Sequence, residues 1–266
     1  MRDEFDILAC LGNISSEEVF TPTPLAKAML DILPKDIWTS PNVRILDPNC
    51  KSGVLLRESA ERLFHGLEPV IPDEQERINH IFKNQLFGIP VTQRTALISR
   101  CALYGLKTAK DKYRIAKCFS DSRGNIPDAC FRHEWIGGRC AKCGAPQSLY
   151  GRLEGESYAY PLLHADIEEI FGMPMEFDVV IGNPPYQLTD GGNGASAVPL
   201  YQEFVKKAKA LRPKHLVMII PARWYAGGKG LEEFRDIMLR DQHICELVDY
   251  PNASECFPDV NIKGGV

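Results

Sequence analysis

Residues 177–186 read FDVVIGNPPY, an apolar, largely β-branched run that stops on two prolines. Such a run reads as a buried strand. Proline fixes φ and has no N–H to give to a ladder, so the strand ends at Pro184 and the chain leaves the sheet as a stiff turn. That turn places an amide, Asn183, and a ring, Tyr186, on either side of the prolines.

The rest of the chain supplies partners for this strand. In SSEEVFTPTPLAKAMLDILP, Pro22 and Pro24 suit a helix entry, and Leu25, Met29, Ile32 and Leu33 fall on one face. VRILDP reads as a short buried strand. It runs into NCKSGVLLRESAERLF, a small-residue turn opening a helix with Leu55, Leu56, Ser59, Leu63 and Phe64 towards the core. A helix at PDEQERINHIF, a strand at QLFGIPV and a helix at TQRTALISRCALYGL follow. After an irregular stretch, FDVVIGNPPY is followed by a helix (PLYQEFVKKAKAL), a strand (HLVMIIPARWY), a helix (LEEFRDIMLRD) and a strand (ICELVDYP). This alternation predicts an α/β fold built on a parallel, Rossmann-like sheet. The expected organisation is an N-terminal half over residues 1–111, a Cys/His-rich insertion over 112–160, and a second half over 161–266.

Bulk properties exclude several classes. The formal net charge of −4 over 266 residues carries no global basic field, so any nucleic-acid contact must use a local surface. Nine cysteines, an odd number scattered along the chain, fit a reducing compartment, and a cytoplasmic location is expected. The opening MRDEFDILACLGN lacks the long apolar run of a signal peptide, and no segment approaches the ~18 apolar residues of a membrane span.

Two turns carry chemistry. LDPNCKSG, residues 46–53, joins a strand to a helix and contains an acid and a glycine. In open α/β sheets ligands sit at the carboxyl ends of strands, where a small residue lets backbone approach and Asp47 can hold a cationic or hydroxyl-rich group. In the second turn the prolines leave the Pro184 carbonyl without a local donor, and the Asn183 side-chain carbonyl is a second acceptor. Two acceptors on a stiff turn match the two hydrogens of an exocyclic amino group. Tyr186 can stack on the ring that carries it.

Together with VFTPTP, these turns resemble the motifs of the amino-group adenine DNA methyltransferases of bacterial restriction–modification systems, in the class where the N-terminal cofactor motif comes first. The resemblance spans residues 14–266 and implies a methyltransferase fold, S-adenosylmethionine as methyl donor, and an adenine flipped out of double-stranded DNA as acceptor. It puts Thr21 and Pro22 beside the methionine end of the cofactor and Asp47, Pro48, Cys50 and Gly53 around its amino acid and ribose. Asp166, with Asp121 as a rival, is the acid for the cofactor's adenine. Asn183, Pro184, Pro185 and Tyr186 form the catalytic turn. The sequence departs from the commonest pattern at Lys51, where glycine is usual, and at Pro90, where many relatives carry an acid. The family also continues into a further strand, an aromatic for the flipped base and a target-recognition domain, so a C-terminal domain or second chain is an expected partner.

The insertion holds HEWIGGRCAKC, which places Cys140 and Cys143 as a close pair after His133. With Cys130 the set suits tetrahedral zinc, and His164 is the rival fourth ligand. Trp224 and Tyr225 either touch DNA or pack a loop. Two other functions remain open at this stage. One is methylation of a glutamine amide in protein, a planar nitrogen of similar shape. The other is a noncatalytic, zinc-containing DNA-binding fragment.

Overall fold

The computed structural model describes residues 19–105, 114–128, 130–151, 158–188, 198–258, 260 and 262–266. Its strands are β1 (Ile45–Cys50), β2 (Leu86–Pro90), β3 (Trp135–Ile136), β4 (Arg139–Cys140), β5 (Val179–Gly182), β6 (Gln187–Leu188), β7 (Val198–Pro199) and β8 (His215–Met218). One four-stranded sheet runs β2-β1-β5-β8, parallel throughout, while β3–β4 and β6–β7 are short antiparallel pairs.

Side-chain alternation along these strands divides the core in two. Ile45, Leu86, Val179 and Ile181 face one apolar layer, shared with α1 (Thr23–Asp31), α2 (Val54–Gly66) and the end of α4 (Gln93–Tyr104). Leu46, Phe87, Ile89 and Val180 face the other, where Phe204 and Ala208 of α8 (Tyr201–Ala210) join Cys140, Cys143 and Tyr150. The sheet is therefore covered on both sides, as the strand–helix rhythm predicts.

Pro22, in extended conformation, is the N-cap of α1. Leu25 and Met29 are buried as expected, but Ile32 is 38% exposed, because the helix ends at Asp31 and Ile32 only caps it. α4 opens with a reciprocal cap in which Thr92 and Thr95 bond each other's main chain. Between α2 and β2 run α3 (Glu74–His80) and a π-helical turn over Ile81–Gln85.

The expected strand at ICELVDYP is corrected. Residues 244–250 form no ladder in the sheet, and Leu247 and Val248 are 62% and 44% exposed. An apolar run becomes a strand only when it pairs, and among the described residues β8 pairs with β5 alone, its outer edge not taken by this run. Tyr250 instead exchanges two main-chain bonds, of 2.8 and 3.1 Å, with Val266.

The outer edge of β2 is covered by an asparagine. Asn125 donates from Nδ2 to the carbonyls of Phe82, Lys83 and Leu86 at 2.9–3.1 Å, while its own carbonyl takes the Gly88 N–H at 3.1 Å. Arg100 fixes the next residues through the Ile126 carbonyl and Asp128. Asn125→Ala removes three bonds and leaves carbonyls unsatisfied, so it is expected to destabilise the chain by about 2–3 kcal/mol, measurable by denaturant unfolding.

Candidate active site

β1 and β5 lie side by side in parallel register, so the turns that follow them leave the same end of the sheet together. Glycine brings them close. A Cβ on Gly182 would stand 3.1 Å from Pro48 Cδ and 3.3 Å from Asn49 Nδ2. Gly53 has φ +76°, and a Cβ there would meet Leu103 Cδ1 at 3.0 Å, so the cofactor-type turn lies directly on α4.

Asn183 is enclosed at this junction. Its Nδ2 donates to the Val19 carbonyl and to Thr21 Oγ1, both at 3.2 Å. Those two bonds orient the amide, and its Oδ1 is left enclosed with no hydrogen-bond partner. The same Val19 carbonyl receives Lys51 Nζ at 3.0 Å, so one main-chain oxygen accepts from both turns. None of the described hydrogen bonds ends on the Pro184 carbonyl. Pro184 and Pro185 are buried, and Tyr186 is half-buried with its ring edge-on to Phe257 at 6.4 Å. Burial pushes the Tyr186 hydroxyl well above the usual phenol range. The Tyr186 carbonyl is anchored by the Leu200 N–H at 3.0 Å, which ties the turn to the start of α8.

A cavity of about 10 Å³ lies between the turns, lined by Thr21, Asp47, Asn49, Lys51, Ser52 and Asn183 among others. It holds at most one water as it stands. Its polar lining is unusual for so enclosed a place: both amide atoms of Asn49 lack partners, as does Asn183 Oδ1. Asp47 is held by the Asn49 N–H at 3.0 Å, yet burial raises its carboxyl to about 7 against the lowering effects of that N–H and of the Lys51 charge. Burial, with the Asp47 charge beside it, also pushes the Cys50 thiol up. Such a set suits a ligand with a cationic group and hydroxyls. A ligand larger than water requires the lining to open.

Of the residues expected here, Thr21, Asp47, Gly53 and Asn183 line the cavity, whereas Pro22, Pro48 and Cys50 do not. Asp166 is exposed at the N-cap of α7 (Ile167–Phe171), after α6 (Pro161–His164), and Asp121 is exposed with its carboxylate taken by the N–H groups of Arg123 and Gly124. Neither acid lines the cavity. Asn49 and Ser52, from the same LDPNCKSG stretch, also line the cavity. The role of Val19 is carried by a main-chain oxygen and has no side-chain signature. Trp224 is buried against Phe234 and so packs its loop, and Tyr225 bonds Asp249 at 3.3 Å.

The insertion forms a second cluster. Ligand atoms of His133, Cys140, Cys143 and His164 lie within 4.8 Å of one another. The expected fourth member, Cys130, is corrected to His164. Cys130 is exposed, receives Gln93 Nε2 and lies outside the cluster.

A parallel sheet ordered β2-β1-β5-β8, with Asp47 in the carboxyl-terminal part of one central strand and Asn-Pro-Pro-Tyr after its neighbour, defines a Rossmann-like methyltransferase fold. The chain belongs to the Eco57I restriction-modification methylase family, which it matches over residues 84–257. It is 37% identical, over an alignment of 291 residues, to an uncharacterized adenine-specific methylase of Mycoplasma pneumoniae, covering 98% of this chain and 68% of that protein. Among solved structures, the DrdV–DNA complex covers 82% of the chain with a TM-score of 0.50 and 14% identity. The Type ISP restriction-modification enzyme LlaBIII bound to DNA covers 84% with a TM-score of 0.50 and 15% identity. Both likenesses are of fold, and the chain spans only 22% and 16% of those two proteins. None of the described helices is long and apolar enough to cross a membrane.

A carboxyl raised to about 7 is a stability term with a definite sign. The folded chain retains a proton that the unfolded chain releases above its ordinary value of 3.8, so stability falls as pH rises from there to about 7 and is level beyond. Asp47→Asn removes that loss. Thermal unfolding of the ligand-free variant is expected to show stabilisation of up to about 4 kcal/mol at pH 8, at roughly 1.4 kcal/mol per unit, and almost none near pH 4.

Proposed function

We propose that this chain transfers a methyl group from S-adenosylmethionine to the N6 amino group of an adenine flipped out of double-stranded DNA, within a restriction–modification system. The observation that carries this reading is the enclosed, unpartnered Oδ1 of Asn183, whose amide nitrogen is already engaged by Val19 and Thr21. The family membership and the adenine-specific relative support adenine over a protein glutamine.

Asn183 Oδ1 and the Pro184 carbonyl accept the two hydrogens of the amine, drawing its lone pair out of conjugation with the ring. No base is required before transfer, since the proton leaves only after the nitrogen has become cationic, and catalysis is mainly positioning and electrostatics. Thr21, Asp47, Asn49, Ser52 and Gly53 would hold the cofactor, with Asp47 opposite its ammonium group. S-adenosylmethionine, when bound, supplies an electrophilic methyl on a sulfonium. The ring of Tyr186, fixed against Phe257, forms a wall for the base.

Two experiments test this. Labelled methyl is expected on adenine N6 when the chain, supplied with any recognition partner, is mixed with DNA, and Asn183→Ala should lower transfer at least about 10²-fold with little change in cofactor affinity. Label on a glutamine-bearing protein in place of DNA, or no cofactor binding by the folded chain in calorimetry, would overturn the proposal. Cofactor affinity is also expected to rise with pH up to about 7 and then level, as Asp47 loses its proton, and Asp47→Asn should flatten that rise.

A further inference from the structure

We propose that His133, Cys140, Cys143 and His164 bind one zinc ion in a closed tetrahedral site, and that this ion fastens the Cys/His-rich segment to helix α6 and so to the catalytic half of the domain. The cluster lies outside the methyltransferase site and does not depend on the reading of it.

The geometry fits before any ion is present. Cys140 Sγ stands 3.4 Å from His164 Nε2, and Cys143 Sγ stands 3.4 Å from His133 Nδ1. Tetrahedral zinc lies about 2.3 Å from sulfur and about 2.0 Å from nitrogen, which puts neighbouring ligand atoms roughly 3.5 Å apart. Each histidine therefore already faces one sulfur at close to the ligand–ligand spacing. Cys140, Cys143 and His164 are buried, and neither cysteine is in a disulfide.

The local backbone is built to present both sulfurs together. β3 and β4 are joined through Gly137 and Gly138, with φ +58° and +80°, and the chain turns again after β4 through Gly144 at φ +73°. The Cys140 carbonyl accepts the Gly144 N–H at 2.9 Å, and the Cys140 N–H reaches the Ala145 carbonyl at 2.8 Å. His164 is oriented in turn. Its Nδ1 lies 2.9 Å from the Tyr160 carbonyl and donates to it, which leaves the Nε2 lone pair pointing at Cys140. Trp135, tilted, and Tyr150, edge-on, pack around His133, with ring centroids 4.7 and 5.7 Å away.

Four protein ligands leave no position for water, so the ion is structural. Residues 130–151 contain two-residue strands and one four-residue helix, α5 (Gln147–Tyr150), too little regular structure to order themselves, and a metal cross-link supplies the missing order. His164 ends α6, and Tyr160 just before that helix lies edge-on to Phe204 of α8 at 5.4 Å. The ion thus joins a small segment to the helix that follows the catalytic turn.

The test is metal content and spectroscopy of the full chain. Purified protein, dialysed against zinc and then against buffer, is expected to retain about one zinc per chain. Cobalt in its place should give an intense tetrahedral d–d spectrum with thiolate charge transfer. His164→Asn and Cys143→Ser should weaken zinc binding at least tenfold, while Cys130→Ser leaves it unchanged. Removal of the ion by a chelator should expose residues 130–151 to protease. Folded chain with only trace zinc, a six-coordinate cobalt spectrum, or equal loss of zinc in Cys130→Ser and His164→Asn would each overturn the proposal. Should a ligand variant fail to fold, the wild-type metal content and cobalt spectrum decide the matter alone.

Discussion

Leu46 lies opposite Val180 in a parallel ladder, and this register sets nearly everything at the carboxyl end of the sheet. Two turns more than a hundred residues apart in sequence are forced to leave the sheet as neighbours. Gly182 then lets the second turn settle against Pro48 and Asn49 of the first. Because Asn183 is the next residue, its side chain has one place to go, towards Val19 and Thr21. The free end of its amide follows from that placement. A side chain in place of hydrogen at Gly182 would push Pro48 and Asn49 away by a few tenths of an ångström.

The site this creates is costly to the ligand-free fold. An enclosed polar atom without a partner costs about 1–3 kcal/mol, and here Asn49 leaves two such atoms and Asn183 one, beside a carboxyl that burial holds near neutrality. Lys51 moderates the cost. Its ammonium lies among these groups, lowers the Asp47 carboxyl somewhat, and shares the Val19 carbonyl with Asn183.

Where the fold departs from the sequence pattern, one cause was a local helix end and the others were long-range. Ile32 has the spacing of a core residue, but the helix stops one position earlier and turns it outward. ICELVDYP has the composition of a strand, yet a strand exists only through its neighbour, and these residues pair with no strand of the sheet, not even at the open edge of β8. Cys130 is the nearest cysteine to His133 in sequence, but His164, thirty-one positions away, is nearer in space because α6 folds back over the hairpin.

What the sequence determined by itself was local and repetitive. The apolar runs marked the segments that became β1, β2, β5 and β8, the 3.6-residue spacing marked most of the buried helix faces, and Pro184 and Pro185 fixed where β5 stops. Those properties depend on near neighbours along the chain. Tertiary structure alone decided that the Val19 carbonyl links the two turns, that Tyr186 rests on Phe257, and that a histidine from α6 completes the Cys/His cluster. Each of these is a contact between segments with no covalent reason to meet. They meet because a sheet covered on both faces brings distant segments to the same end, and sequence spacing carries no record of that proximity.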